Sequence, residues 1–172
     1  MKSIKFFVLA AALALTACKA PPTTAQTTTH VSRDIYPAAE QAKADLAAAL
    51  KTAASTHKRI LLVFGGNWCA DCKVLDIYFH DQANRPLLEA NFVLVHVNIG
   101  RMDANLDIAQ KYGVPLEKGV PALAVLSQDG SLLYSQKSGQ FEDMRSMASS
   151  EVTKFLMQWQ PEQPCSTAMV NC

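Results

Sequence analysis

Along the chain, short continuous apolar runs alternate with longer stretches in which apolar residues recur every three or four positions, and the two patterns predict different elements. Over residues 37–56, Ala42, Leu46, Ala49, Leu50 and Ala53 share one face of a 3.6-residue period, which predicts a helix with Pro37 in its first turn. Residues 60–64 are apolar throughout, too few for a buried helix, and stop at Gly65-Gly66, so they read as a strand buried on both faces. Residues 92–99 read the same way. Between these runs Val74, Leu75, Tyr78 and Phe79 repeat at helical spacing, and residues 84–90 fit a further short helix. Another helix is predicted over 103–112, closed by Gly113 where a left-handed cap belongs. Residues 122–126 and 132–135 flank Gln128-Asp129-Gly130 as a hairpin. Over 141–159, Met144, Met147, Val152, Phe155, Leu156 and Trp159 supply one side of an amphipathic closing helix. The order α-β-α-β-α-β-β-α predicts an α/β fold, with no internal repeat.

The first residues obey neither pattern. Lys2 and Lys5 precede an apolar run over 6–15 that ends in small residues, which reads as a secretory leader spanning 1–17. The run is half of the about 20 residues a membrane-spanning helix needs, and no later segment reaches that length. At its end Leu15-Thr16-Ala17-Cys18 resembles the lipobox of bacterial lipoproteins. That resemblance implies acylation of Cys18 and a lipid bilayer as partner, each buried methylene contributing about 0.8 kcal/mol. Lys19 stands where inner-membrane retention favours Asp, so the expected site is the periplasm-facing outer membrane of a Gram-negative cell in preference to the inner. Residues 18–33, rich in Thr and Pro, then form a tether with a ceiling of roughly 50 Å. A domain over 34–160 and a tail over 161–172 complete the division.

Composition narrows the partners. A chain of 172 residues, 49% hydrophobic, builds one core and not two. Sixteen Lys and Arg stand against fifteen Asp and Glu, and loss of Lys2 and Lys5 with the leader leaves fourteen against fifteen, interspersed. No basic stripe offers a nucleic acid its footprint.

Five cysteines in an exported chain leave an odd one, which lipidation of Cys18 would consume. The other four fall into two local pairs. Cys165 and Cys172 read as a structural disulfide in an oxidising compartment, the alternative being two free or intermolecular thiols. The other pair is Cys69-Ala70-Asp71-Cys72, placed after a buried strand at the start of a helix. There the first thiol meets unpaired backbone N–H groups and the positive end of the helix dipole, both of which favour its thiolate. Cys69 is therefore the expected nucleophile and Cys72 the resolving thiol one turn on. Half of a zinc site and a purely structural disulfide are the competing readings; C-x6-C makes a poor second zinc knuckle, and no metal is expected.

The segment Trp68-Cys69-Ala70-Asp71-Cys72-Lys73 after a buried strand, with Gly119-Val120-Pro121 before the hairpin, resembles the thioredoxin superfamily across residues 37–159. It is most similar to exported bacterial thioredoxin-like domains, including the C-terminal domain of the membrane thiol:disulfide interchange protein. The resemblance implies a central mixed sheet flanked by helices, here with an extra N-terminal helix. It implies a cis Pro121 beside the cysteine pair and a substrate groove formed by Trp68, Val120 and Pro121. Three departures stand out: Val63 occupies the place of a buried Asp, His96 aligns with a Lys, and residues 115–118 are inserted before the Gly119 loop.

Ala70 and Asp71 are the redox-tuning positions. A carboxylate at about 6 Å and an effective dielectric of 20 to 40 costs the Cys69 thiolate roughly 1 to 3 kcal/mol, which disfavours the reduced pair and predicts a reductase. The expected function is reduction of disulfides in exported proteins, recharged by a membrane thiol donor, by a monomer with no cofactor beyond its own dithiol. An oxidase or isomerase of the same fold, or a binding module with little turnover, is the alternative. His96 reads as an edge or core histidine, His30, His57 and His80 as surface residues, and the methionines of the closing helix as core filling.

Overall fold

The structure is a computed structural model that describes residues 34–162. The leader, Cys18, the tether and the Cys165–Cys172 pair lie outside the described residues. The elements are α1 (Ala42–Thr56), β1 (Arg59–Gly65), α2 (Ala70–Phe79), α3 (Asn84–Asn91), β2 (Phe92–Asn98), α4 (Leu106–Lys111), β3 (Ala122–Leu126), β4 (Leu132–Ser135) and α5 (Ser149–Trp159). Short 3-10 turns occupy Ala39–Gln41, Leu116–Lys118 and Met144–Ser146.

The sheet runs β2-β1-β3-β4. Parallel pairing of β1 with β2, from Arg59 opposite Phe92 to Gly65 opposite Asn98, requires a crossover, which α2 and α3 provide. β3 is antiparallel to β1, and β4 to β3, so the sheet is mixed. Every β1 residue after Arg59 is buried, and alternation sends its side chains to both faces of the sheet, so the expected single core is split by the sheet into two apolar layers. Ile60, Leu62 and Phe64 pack with Ala42, Leu46, Ala49 and Ala53 of α1 and with Ile108 and Ala109 of α4. Leu61 and Val63 face the other way, onto Leu75 and Phe79 of α2, Leu88 of α3 and Val152, Phe155 and Leu156 of α5. Helices thus cover both faces of a thioredoxin-like sheet, with α1 added ahead of it. Among the described residues no helix is long and apolar enough to cross a membrane.

Four elements differ from expectation. α1 begins at Ala42, behind the 3-10 turn at Ala39–Gln41, so Pro37 lies ahead of the helix and not in its first turn: Ala38 is extended at ψ 139°, and Asn98 Nδ2 holds Pro37 O at 2.7 Å. β2 is an edge strand with half-buried positions, where a strand buried on both faces was expected, because only β1 pairs with it. The helix expected over 103–112 begins at Leu106: Ile99 O accepts from the backbone of Met102, Asp103 and Ala104, and Asn105 is left-handed at φ 54°. The Asn105 amide bonds Ala39 O at 2.8 Å and Asn98 O at 2.7 Å, which holds the chain in that non-helical bend. The closing helix begins at Ser149, not at 141. Phe141 and Met144 are both fully buried, so the apolar spacing is genuine, but the Arg145 N–H is taken by the Asp71 carboxylate at 3.1 Å instead of a carbonyl one turn back. Gly113 does take the left-handed cap, at φ 60°.

Candidate active site

β1 delivers the chain to its end at Gly65, and four residues later Cys69 caps α2 with extended backbone, φ −84° and ψ 113°. Its Sγ accepts the Cys72 backbone N–H at 3.0 Å, satisfying one of the donors that a helix start leaves open. Cys69 and Cys72 are joined in a disulfide, their Cα atoms 5.3 Å apart. Cys69 is 5% exposed and Cys72 1%, so the outer sulfur is the one a substrate reaches first.

Opposite Cys69 lies the loop before β3. The Val120–Pro121 peptide is cis, Pro121 is buried, and the Val120 carbonyl oxygen is 3.6 Å from Cys69 Sγ. That oxygen and the neighbouring backbone offer an extended peptide polar partners beside the reacting sulfur. From behind, buried Gln136 donates from Nε2 to Pro121 O at 3.4 Å, and its backbone N–H binds Leu123 O at 2.9 Å. The 115–118 insertion folds as the Leu116–Lys118 turn, anchored by buried Leu116, immediately before Gly119 at φ 107°. On the other side Trp68 is 43% exposed, with its indole N–H held on Gly100 O at 2.5 Å. A Cβ on Gly66 would stand 2.6 Å from Trp68 Nε1, so a glycine there lets the ring lie close over the turn.

Ala70 is exposed, whereas Asp71 is buried. Its Oδ1 accepts from both Nε and backbone N of Arg145, each at 3.1 Å. Burial pushes the Asp71 carboxyl up, but the hydrogen bonds and charge of Arg145 outweigh it and hold the group below the ordinary carboxylate value. Asp71 therefore stays ionised through the working range, with part of its charge offset by Arg145. A group held low in the folded state contributes stability that is complete above about pH 4 and lost as pH falls through its folded value. Arg145→Gln is expected to move the Asp71 titration upward, read by carboxyl-carbon NMR. An unmoved midpoint would remove Arg145 as the cause.

Beneath the pair, Val63 contributes only a methyl surface to the cluster that holds Cys69 and Cys72. His96, opposite Val63 in β2, is an edge histidine with 15% of its side chain exposed. Its ring meets Tyr36 edge-on at 5.0 Å, and its Nε2 lies 3.5 Å from Asp76 Oδ1, which also faces His80 Nδ1 at 3.4 Å. Burial pushes the His96 pKa down, Asp76 pulls it up and His80 pushes it down, with the balance below the ordinary histidine value.

Sequence reasoning singled out Cys69, Cys72, Trp68, Val120 and Pro121; the structure joins Cys69 to Cys72 and sets Val120, with Pro121 next to it, against Cys69 Sγ, while the Trp68 indole N–H turns to Gly100 O. It missed Gln136, Arg145, Asn67 and Tyr36. Asn67 and Tyr36 form a reciprocal clamp, Tyr36 N donating to Asn67 Oδ1 and Asn67 Nδ2 to Tyr36 O, both at 2.9 Å. The single legible sign was an aromatic residue just ahead of the first helix.

The sequence matches a family model described as thioredoxin-like over residues 41–127. Among solved structures it is similar to a disulphide isomerase from Xylella fastidiosa Temecula1, at 35% identity and a TM-score of 0.69, over 72% of this chain and 95% of that one. It is also similar in fold to the reduced C-terminal domain of Neisseria meningitidis DsbD, at 21% identity and a TM-score of 0.50, over 67% of this chain and 95% of that one. No curated protein matches it.

Proposed function

The chain belongs to the thioredoxin-like family, and on that premise we propose that it is a thiol–disulfide oxidoreductase that reduces disulfides in exported proteins. The observation that carries the reading is the Cys69–Cys72 disulfide capping α2, with Cys69 Sγ facing the Val120 carbonyl. In the reduced protein, Cys69 thiolate attacks a substrate disulfide and forms a mixed disulfide while the first substrate thiolate leaves. Cys72 then attacks Cys69 Sγ, the second substrate thiolate leaves, and the pair closes. The helix N-terminus stabilises the Cys69 thiolate, and the loop at Val120 and Pro121, with Trp68, positions an extended substrate.

The reductive direction rests on Asp71. An ionised carboxylate in the first turn opposes the dipole that favours the Cys69 thiolate, and so disfavours the dithiol. Arg145 offsets part of that charge, which keeps the effect within the roughly 1 to 3 kcal/mol of an unpaired carboxylate. At about 30 mV per 1.4 kcal/mol the couple moves by some tens of millivolts toward reducing power. A redox titration against glutathione is the test. A reductase is expected well below the glutathione-poised range, and a couple near about −120 mV, that of a strong periplasmic oxidant, overturns the direction.

Isomerisation is the second reading, because the Xylella relative at 35% identity is a disulphide isomerase. Reactivation of a protein with scrambled disulfides, compared with simple reduction of the same protein, separates the two. Acylation at Cys18, outer-membrane attachment, a membrane thiol donor and a monomeric state complete the proposal; the dithiol is its own cofactor.

A further inference from the structure

Tyr36 is 2% exposed, yet its hydroxyl has no hydrogen-bond partner among the described residues. A buried hydroxyl left unpaired costs free energy, so its position asks for a reason. The reason lies at Gly65. A Cβ built there would stand 2.5 Å from the Tyr36 hydroxyl oxygen and 2.6 Å from Cys72 Sγ, so oxygen and sulfur both border the space the glycine leaves open. The ring cannot drift from that place. The Asn67 clamp holds the Tyr36 backbone on both sides, and His96 packs against the ring edge.

In the closed pair, Cys72 Sγ is half of a disulfide and a weak acceptor. In the open pair it is a thiol buried in apolar surroundings, where ionisation is disfavoured. Val63 brings no carboxylate to it. The charged and titratable groups facing Tyr36 are Asp76 from α2 and His96 from β2, with His80 behind them. Burial first, and the Asp76 charge second, push the Tyr36 hydroxyl far above its ordinary value. It therefore keeps its proton throughout the working range and serves as a donor.

We infer that the Tyr36 hydroxyl donates a hydrogen bond to the Cys72 sulfur when the disulfide opens, and that this donor makes the buried resolving thiol ionisable. Tyr36 is a positioning residue for the exchange proposed above, and the inference rests on that reading. Once Cys69 holds the substrate in a mixed disulfide, Cys72 loses its proton to water, and the resulting thiolate is held by Tyr36. It attacks Cys69 Sγ, forming the Cys69–Cys72 bond and breaking the bond to substrate, whose sulfur leaves as a thiolate and takes up a proton from water. Two electrons pass from the dithiol to the substrate disulfide, and Tyr36 ends as it began.

The experiment uses the full chain with Cys18, Cys165 and Cys172 changed to Ser, reduced, and mixed with dithiobis-nitrobenzoate. Attack by Cys69 releases one thionitrobenzoate and attack by Cys72 releases the second, so the two steps are read as separate phases. Tyr36→Phe keeps the ring and removes only the donor. The first phase should stay within about twofold, while the second slows about tenfold at neutral pH and its pH midpoint rises by about one unit. An unchanged second phase, or equal slowing of both phases, overturns the inference. A parent protein without any second phase overturns the exchange reading along with it. A further readout needs no variant: reducing the parent should shift its near-ultraviolet tyrosine absorption as the hydroxyl gains an acceptor, and an unshifted spectrum overturns the inference.

Discussion

Cys72→Ala is expected to turn the protein into a trap, recovered in covalent union with exported proteins through Cys69, whereas Cys69→Ala captures nothing. Both variants should lose turnover to the background of uncatalysed exchange. The asymmetry follows from position. Cys69 is the more exposed sulfur, it caps the helix, and it faces the Val120 carbonyl, while Cys72 is enclosed behind it. A mixed disulfide therefore forms on Cys69, and without Cys72 no tethered thiol releases it. The readout is non-reducing electrophoresis of the full chain after brief exposure to periplasmic protein, with the captured bands lost on addition of dithiothreitol. Equal capture by the two variants would leave a binding module with an incidental cysteine pair as the better account.

Asn84→Ala should be strongly damaging although it lies away from the cysteines, lowering stability by on the order of 3 kcal/mol and the melting temperature by about 10 °C. Asn84 is fully buried at the start of α3. Its amide donates to Tyr78 O at 2.9 Å and to Ser149 Oγ at 3.0 Å, and its Oδ1 accepts the Thr153 hydroxyl at 2.6 Å. Ser149 in turn donates to Asp81, whose carboxyl that bond holds below the ordinary value. One side chain thus ties the end of α2, the start of α3 and the first turn of α5. Truncation removes these three hydrogen bonds at once; Tyr78 O keeps the Asp81 N–H at 3.3 Å and the Thr153 hydroxyl keeps Ser149 O at 3.4 Å, so the loss is that of the bonds themselves, about 0.5 to 1.5 kcal/mol each. Thermal unfolding of the variant checks the value; a loss below 1 kcal/mol would mean that water or a rearranged Thr153 replaces the amide.

What was legible in the sequence was what has a local signature. β1 announced itself by five consecutive apolar residues, α1 by its period, and the redox pair by two cysteines one helical turn apart at a strand-to-helix junction. The pattern failed where a partner distant in sequence decides the backbone. Phe141 and Met144 sit three apart as helix neighbours do, but Asp71 claims the Arg145 N–H from across the fold, and the chain makes only a short 3-10 turn there. Residues 92–99 are apolar enough for a central strand, yet an edge position depends on which strands pair, and nothing within the segment states that. Tyr36 and Asn67 escaped for the same reason. Their clamp joins residues 31 positions apart, in two stretches that carry no periodicity of their own.

That clamp also bears on where the folding unit begins. A boundary drawn by secondary structure would cut just before the turn at Ala39–Gln41, and the shortened protein would still hold every helix, strand and cysteine described for the domain. It would lack Tyr36, and with it the hydrogen-bond partners of Asn67, two residues ahead of Cys69. Tyr36, which looks like the end of a linker, belongs to the packed cluster that holds the sulfurs. Trimming for expression, or a tag joined at residue 39, should then yield a protein that folds around an open hole at its reactive end.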